Sequence, residues 1–346
     1  MSGRYVRNKQ VKLKNYVSTV LKETDMEVQS CDIILDLKEG SKDDVLVKNL
    51  YLSCDPYMRI RMSGQNISHS PPFKVGQVLE GFGVSKVVLS NNPCFKPGDY
   101  VSSWTMWEEY SVIAGGERLE VVDPSFAPLS YYLGALGMPG FTAYVGLFEI
   151  LKPKGGETIF VSAASGAVGQ MVGQLAREAG LFVVGSAGSK QKVDLLRNKL
   201  GYDAAFNYKE EDDLVSALRT HCPRGIDMYF ENVGGKVLDA VLENMNSFGR
   251  IAVSGMISQY DTDKKDGVFN LYKIISRRIT IQGFLQSDYV HLWPKFMELM
   301  TGYLNASKVV YFEDFAQGLD NAPNAFCRLM SGEKIGKQII TVAEDY

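Results

Sequence analysis

The sequence predicts a two-part α/β protein, with a doubly wound parallel sheet in one part and a mainly β domain in the other. Three observations predict it. From about Ser130 onward short apolar strands alternate with helical stretches, the pattern of βαβ units. The first third instead carries many short strand-like runs separated by Gly, Pro, Asn and Asp turns. The chain has 346 residues, too many for one ordinary domain.

In chain order, Val11 and Leu13 alternate with lysines, and Val28–Leu37, Val45–Leu52, Gly83–Leu89 and Tyr110–Ile113 read as further strands. Turns fall at Asn91-Asn92-Pro93 and Lys96-Pro97-Gly98-Asp99. Such a run of short strands suggests a barrel-like domain. Thr158–Ser162 is a short apolar strand. Gly169–Ala179 has helical spacing, with Val172, Leu175, Ala176 and Ala179 on one side. Leu181–Gly185 is a strand, Lys190–Lys199 a helix and Ala204–Asn207 a strand. Asp227–Glu231, Arg250–Ser254 and Thr280–Gly283 continue the series. Lys337–Val342 is strand-like again and is expected to rejoin the first domain. The expected division is 1–130 with 302–346, and 131–301.

Composition narrows the class of function. Apolar residues make up 45% and charged residues 22%, as in a globular protein with a full core. A formal net charge of −3 gives no bulk attraction to nucleic acid or an anionic membrane. Cys31, Cys54, Cys94, Cys222 and Cys327 are odd in number and widely spaced, which suits a reducing compartment, and the cytoplasm is the expected location. Pro124–Phe148 carries no charge and is long enough to span a bilayer. Its three prolines and four glycines read instead as buried helix and turn.

The chemistry-bearing motif is Ala163-Ala164-Ser165-Gly166-Ala167-Val168-Gly169, directly after a strand and before a helix. Small residues there let the backbone approach a pyrophosphate, and the helix start offers unpaired N–H groups to it. Alone, an Ala-x-x-Gly-x-x-Gly turn is a weak signal; the surrounding βαβ unit strengthens it. Enzymes that use NAD place an acid about 20 residues further on. The matching segment, Val184 to Lys192, has no acid and offers Ser189, Lys190 and Lys192. That favours NADP(H), although a lysine at a helix start is also a common surface residue.

Catalytic zinc needs three protein ligands. The chain has only His69, His221 and His291, none with a ligand partner at helical or hairpin spacing, and no cysteine cluster. His69 is expected to be exposed in a Ser-rich turn. Metal-free chemistry is therefore expected.

Four segments carry a family resemblance over nearly the whole chain. They are Asn49 to Arg59, Leu136 to Tyr144, Tyr229 to Gly235 (Tyr-Phe-Glu-Asn-Val-Gly-Gly) and Gly255 to Tyr260. Through them the chain resembles zinc-free medium-chain dehydrogenase/reductases, and within these the plant NADP-dependent alkenal double-bond reductases, relatives of the prostaglandin reductases. Where zinc-bearing relatives have Gly-His-Glu-Gly, this chain has Val78-Leu79-Glu80-Gly81. The resemblance implies a GroES-like substrate domain around a Rossmann domain, and a homodimer. It implies that Gly166, Ala167, Val168 and Gly169 hold the pyrophosphate, and that Lys192 and Tyr208 hold the 2′-phosphate. Asn232, Ser254, Gly255, Met256, Ile257, Ser258, Phe284, Leu285 and Gln286 would line the nicotinamide half. Two departures stand out. Phe82 replaces a frequent tyrosine, and Lys334 lies where relatives usually have asparagine, within reach of a cofactor phosphate.

The activity this implies is reduction of the C=C bond of an α,β-unsaturated aldehyde or ketone. Hydride adds to the β-carbon and charge develops on the carbonyl oxygen, where a placed donor is most effective. A phenol can donate while neutral near pH 7. Tyr57 and Tyr260 are the candidates taken from the resemblance; the ordinary alternative is that both are packing residues. Cys54 reads as a buried structural thiol. Trp104 and Trp107 could wall a substrate pocket, with core the preferred reading. Two rival functions are a quinone reductase on the same fold and a non-catalytic NADP(H)-binding protein.

Overall fold

A computed structural model describes residues 4–38, 40–66, 70–116 and 119–343. His69 lies outside them. The chain divides into two compact units, Met1–Leu133 with Glu313–Tyr346, and Gly134–Phe312.

In the first unit β1 (Arg4–Leu13) pairs antiparallel with β2 (Met26–Leu35) as a separate two-stranded ladder. Further on come β3 (Val45–Ser53), α1 (Tyr57–Arg61), β4 (Glu80–Ser90), β5 (Tyr100–Met106), β6 (Tyr110–Ile113) and β7 (Glu120–Val121). The turn residues around Pro97-Gly98 place β5 against β4 in register from Glu80↔Met106 to Lys86↔Tyr100. The apolar stretch from Pro124 becomes a one-turn helix, Leu129–Leu133, in this unit.

The second unit opens with α2 (Met138–Tyr144), which passes directly into a π-helical segment, Val145–Leu151. The alternating elements follow: β8 (Thr158–Val161), α3 (Ala167–Glu178), β9 (Phe182–Ala187), α4 (Lys190–Asn198), β10 (Ala204–Asn207), α5 (Leu214–His221), β11 (Ile226–Glu231), α6 (Gly235–Asn244), β12 (Met245–Val253), α7 (Lys273–Arg277), β13 (Thr280–Gly283) and α8 (Trp293–Asn305). Among the described residues the sheet has six strands in the order β10-β9-β8-β11-β12-β13, every pair parallel. The order reverses between β8 and β11, the topological switch point at which such sheets bind ligands. All four residues of β8 are buried, as strands covered on both faces require.

The chain then returns to the first unit as β14 (Glu313–Gln317), α9 (Ala322–Ser331) and β15 (Lys337–Thr341). β15 pairs antiparallel with β3, completing the sheet β14-β15-β3-β4-β5-β7. Its core is built from residues distant in sequence, such as Leu13, Leu52, Trp107, Phe326 and Ile340, all 1% exposed or less. Among the described residues no helix is long and apolar enough to cross a membrane.

Candidate active site

The phosphate turn leaves β8 and enters α3 as the motif requires. Ala163 takes a left-handed conformation, φ +47°. Gly166 caps α3 without any side-chain acceptor, so the first-turn N–H groups are left for a ligand. At Gly169 a Cβ would stand 2.6 Å from both the Ala163 carbonyl oxygen and the Ala164 Cα, which only glycine permits. The turn, however small its residues, is thus closely packed.

At the end of β9 the candidates for a 2′-phosphate come together. Ser189 is the N-cap of α4 and its hydroxyl accepts from the Lys192 N–H at 3.3 Å. Lys190 is exposed, whereas Lys192 is only 7% exposed and is not the solvated surface residue that a helix-start lysine usually is. The Tyr208 hydroxyl would stand 3.1 Å from a Cβ on Gly188. Tyr208 is itself accessible, and burial of its hydroxyl raises its pKa.

On the other side of the switch point, β11 ends in Glu231, and Asn232 follows. Asn232 donates from its amide side chain to the Ser162 carbonyl at 2.8 Å. The loop after β12 is fastened to these residues: Ser254 and Gly255 donate N–H to the Glu231 carbonyl, and Ile257 to that of Asn232. Within this loop Tyr260 folds back, and its hydroxyl accepts the Met256 N–H at 2.8 Å. A phenol that accepts in this way keeps its own proton for a further acceptor. Burial raises the Tyr260 pKa, with the Met256 N–H opposing the shift, so the phenol is neutral near pH 7. Ser258 is exposed, and Phe284 stands edge-on to Phe230 at 6.2 Å. Leu285 is accessible and Gln286 begins a kinked seven-residue helix, Gln286–Leu292.

In the first unit, Tyr57 opens α1 and stacks on Trp104 at 6.2 Å, while Phe82 meets the same indole edge-on at 5.1 Å. The phenylalanine that departs from the family pattern is therefore one wall of this aromatic group. Arg61 lies over Phe73 at 3.9 Å and pairs with Glu80 at 2.6 Å. The Tyr57 hydroxyl is buried with no hydrogen-bond partner among the described residues. Burial, helped by the nearby Asp55 charge, pushes its pKa well up. The two tryptophans differ. Trp107 is 0% exposed core, as expected, but Trp104 is half-buried and belongs to the Tyr57 group.

Cys54 is buried, and burial drives its thiol far above its usual pKa, so it is no nucleophile. Lys334 belongs to this first unit and its Nζ donates to the Gly336 carbonyl. Sequence reasoning missed two features. Lys337 and Asp55 form a buried ion pair at 2.7 Å beside Tyr57 in the chain, and Glu231 and Ser162 hold the Asn232 turn. The Asp55–Lys337 pair joins residues 282 positions apart, so no local signal could have found it.

Two family models match. Residues 9–122 match the N-terminal domain of oxidoreductases, and residues 167–302 match the zinc-binding dehydrogenase domain. The NADP(+)-dependent 2-alkenal reductase of Nicotiana tabacum is 56% identical over 98% of this chain and 99% of its own length. The chain belongs to the medium-chain dehydrogenase/reductase superfamily and, within it, to the alkenal/enone reductases. A second relative in that family, the (+)-pulegone reductase of Mentha piperita, is 48% identical over 98% of this chain and 100% of its own. CurA of Vibrio vulnificus in complex with NADPH has a TM-score of 0.89 and 36% identity, covering 97% of this chain and 100% of its own. Zinc, which one family description names, does not fit the donors here. Among the described residues no three of His, Cys, Asp and Glu come together, and Leu79 is a fully buried apolar side chain.

Proposed function

We propose that the protein is an NADPH-dependent reductase of the C=C bond of α,β-unsaturated aldehydes and ketones. The observation that carries this reading is the Tyr260 hydroxyl, which accepts the Met256 N–H and has no acceptor for its own proton among the described residues, in the loop beyond the carboxyl end of β12. The names of the tobacco and peppermint relatives, a 2-alkenal reductase and a pulegone reductase, support it.

NADPH, when bound, supplies a hydride to the β-carbon. The uncapped start of α3, at Gly166 to Gly169, holds its pyrophosphate, and Ser189, Lys192 and Tyr208 hold the 2′-phosphate. The loop Ser254 to Ser258, with Asn232 and Phe284 to Gln286, holds the nicotinamide half. The C=C electrons move to the carbonyl oxygen as hydride adds. Tyr260 donates a hydrogen bond to that developing enolate oxygen, and the α-carbon then takes a proton, from a tyrosine or from water, to give the saturated carbonyl; Tyr57, in the first unit, is the second candidate donor. Lys334, in the first unit, is kept as a lesser candidate, its Nζ donating to the Gly336 carbonyl.

We assign substrate binding to the first unit and cofactor binding to the second. The working form is a homodimer. β13 is an edge strand that pairs only with β12 among the described residues, and Phe269 and Ile275 are more than 80% exposed. The cytoplasm is its compartment, in keeping with five cysteines that are all thiols.

The test is product analysis after incubation with NADPH and a 2-alkenal, beside a benzalacetone-type enone and a quinone. The saturated aldehyde is expected. Formation of the allylic alcohol, or turnover of the quinone alone, would overturn the reading. NADH is expected to be the poorer donor.

A further inference from the structure

Glu231 is the last residue of β11 and is 0% exposed. A carboxylate buried this deeply normally needs a cation or a full set of donors. Among the described residues no cation is among its hydrogen-bond partners; its donors, three from residues 229 to 234 and one from Ser162, converge on one oxygen. Oε1 accepts the Val233 N–H at 2.6 Å, the Gly234 N–H at 2.9 Å and the Tyr229 hydroxyl at 2.7 Å. The Ser162 hydroxyl lies 3.3 Å from the same atom. Oε2 has no partner among the described residues.

The groups gathered on Oε1 belong to the two halves of the cofactor site. Ser162 follows β8 and leads into the phosphate turn, and its Oγ accepts the Asn232 N–H at 3.1 Å. Residues 231 to 233 supply the carbonyls that hold the loop after β12, to Ser254, Gly255, Ile257 and Ser258. That loop in turn provides the Met256 N–H that fixes the Tyr260 hydroxyl. The turn carrying these carbonyls needs Gly234 at φ +79°, where a Cβ would stand 2.8 Å from Met256. Without an acceptor at Oε1 the buried Gly234 N–H and the part-buried Val233 N–H lose their partner, and the turn must move to recover one.

We propose that Glu231 is a positioning residue that, through Oε1, holds the phosphate turn and the Tyr260 loop in one frame. This rests on the reading of Tyr260 as the enolate donor. The acceptor matters here and the negative charge does not. In a glutamine the carbonyl oxygen can take the Oε1 place and the amide nitrogen the unpartnered Oε2 place.

The experiment compares Glu231→Met, Glu231→Gln and Tyr229→Phe. It measures the NADPH dissociation constant by fluorescence, and kcat for a 2-alkenal at saturating NADPH. Both are measured with Tyr260 present and with Tyr260→Phe. Glu231→Met is expected to weaken NADPH binding at least tenfold and lower kcat at least tenfold. Glu231→Gln is expected to recover most of both losses. With Tyr260→Phe, the kcat loss from Glu231→Met should shrink while the binding loss persists. A folded Glu231→Met within twofold of the parent in both readouts would overturn the proposal. So would a kcat loss of equal size in the two backgrounds. If Glu231→Met does not fold, the other two variants decide. Tyr229→Phe should weaken NADPH binding a few-fold, and Glu231→Gln should bind NADPH within a few-fold of the parent. A tenfold loss in Glu231→Gln, or unchanged binding in Tyr229→Phe, sinks the idea. If Tyr260→Phe alone leaves turnover unchanged, the enolate-donor reading fails, while the binding arm still tests the frame.

Discussion

Tyr57 and Tyr260, one in each unit, have opposite surroundings. The Tyr260 hydroxyl is held by a backbone N–H four residues away in its own loop. The Tyr57 hydroxyl is buried against Trp104 with no partner among the described residues. Local backbone can orient a phenol without help from the rest of the fold. A phenol placed by aromatic packing instead carries an unmet hydrogen bond, which a substrate oxygen can relieve. The first arrangement is pre-organised for donation; the second stores a desolvation cost until a ligand enters.

The largest effect is expected at Tyr260. Tyr260→Phe removes the donor and leaves the Met256 N–H without its acceptor, so kcat for a 2-alkenal should fall by roughly 2–4 kcal/mol of barrier. Steady-state kinetics with saturating NADPH measure this, and an unchanged kcat would put Tyr260 among the packing residues. Next comes a control confined to the cofactor. Lys192→Met should cost about 1.5–3 kcal/mol in NADPH affinity, the range for a hydrogen bond to a charged group. NADH binding should hardly change. Equal losses for both nucleotides would remove Lys192 from the 2′-phosphate.

Tyr57→Phe sharpens the comparison because two readouts should move in opposite directions. Turnover should drop, yet stability should rise by about 1 kcal/mol, since a buried hydroxyl without a partner is removed. A urea midpoint that falls would mean that the hydroxyl is satisfied after all. A smaller effect tests whether the first unit is dry enough for such an argument. Glu313 also has one buried oxygen without a partner among the described residues, and burial, against a hydrogen bond from Ser130, pushes its pKa up to about 7. The folded state therefore holds this proton more tightly than the unfolded chain. Stability from Glu313 is complete below the unfolded carboxylate range near pH 4.5 and is lost as pH rises toward 7. Glu313→Gln should abolish that fall, on the order of 1 kcal/mol for a partly exposed group. Identical pH profiles for the two proteins would weaken the case for Tyr57 as well.

Much of the second unit was legible in the sequence. β8, β9, β10 and β11 lie where short apolar runs predict them, because a strand buried on both faces is written as a continuous apolar run, whereas β13, mostly exposed at the edge, was read from its place in the series. Of α5 only the end, a helix closing at His221, was read, and α6 was not read. One starts behind the charged stretch Lys209 to Asp213 and the other behind two glycines, which hide the periodicity. β14 was also missed. Glu313 to Gln317 has a polar pattern, and the segment is a strand because β15 lies beside it.

The same division runs through the candidate site. The sequence by itself pointed to the phosphate turn and the basic segment at Ser189 to Lys192, because each is a contiguous stretch whose residue types state their chemistry, whereas the Asn232 and Tyr260 loops were named through the family resemblance. Only the tertiary structure decided that Lys192 is buried while Lys190 is not, that Trp104 stacks on Tyr57, and that Asp55 meets Lys337. It alone made Glu231 the acceptor on which the Ser162 and Asn232 turns converge. Burial and convergence are properties of residues brought together from distant parts of the chain, and spacing along one strand or helix does not encode them.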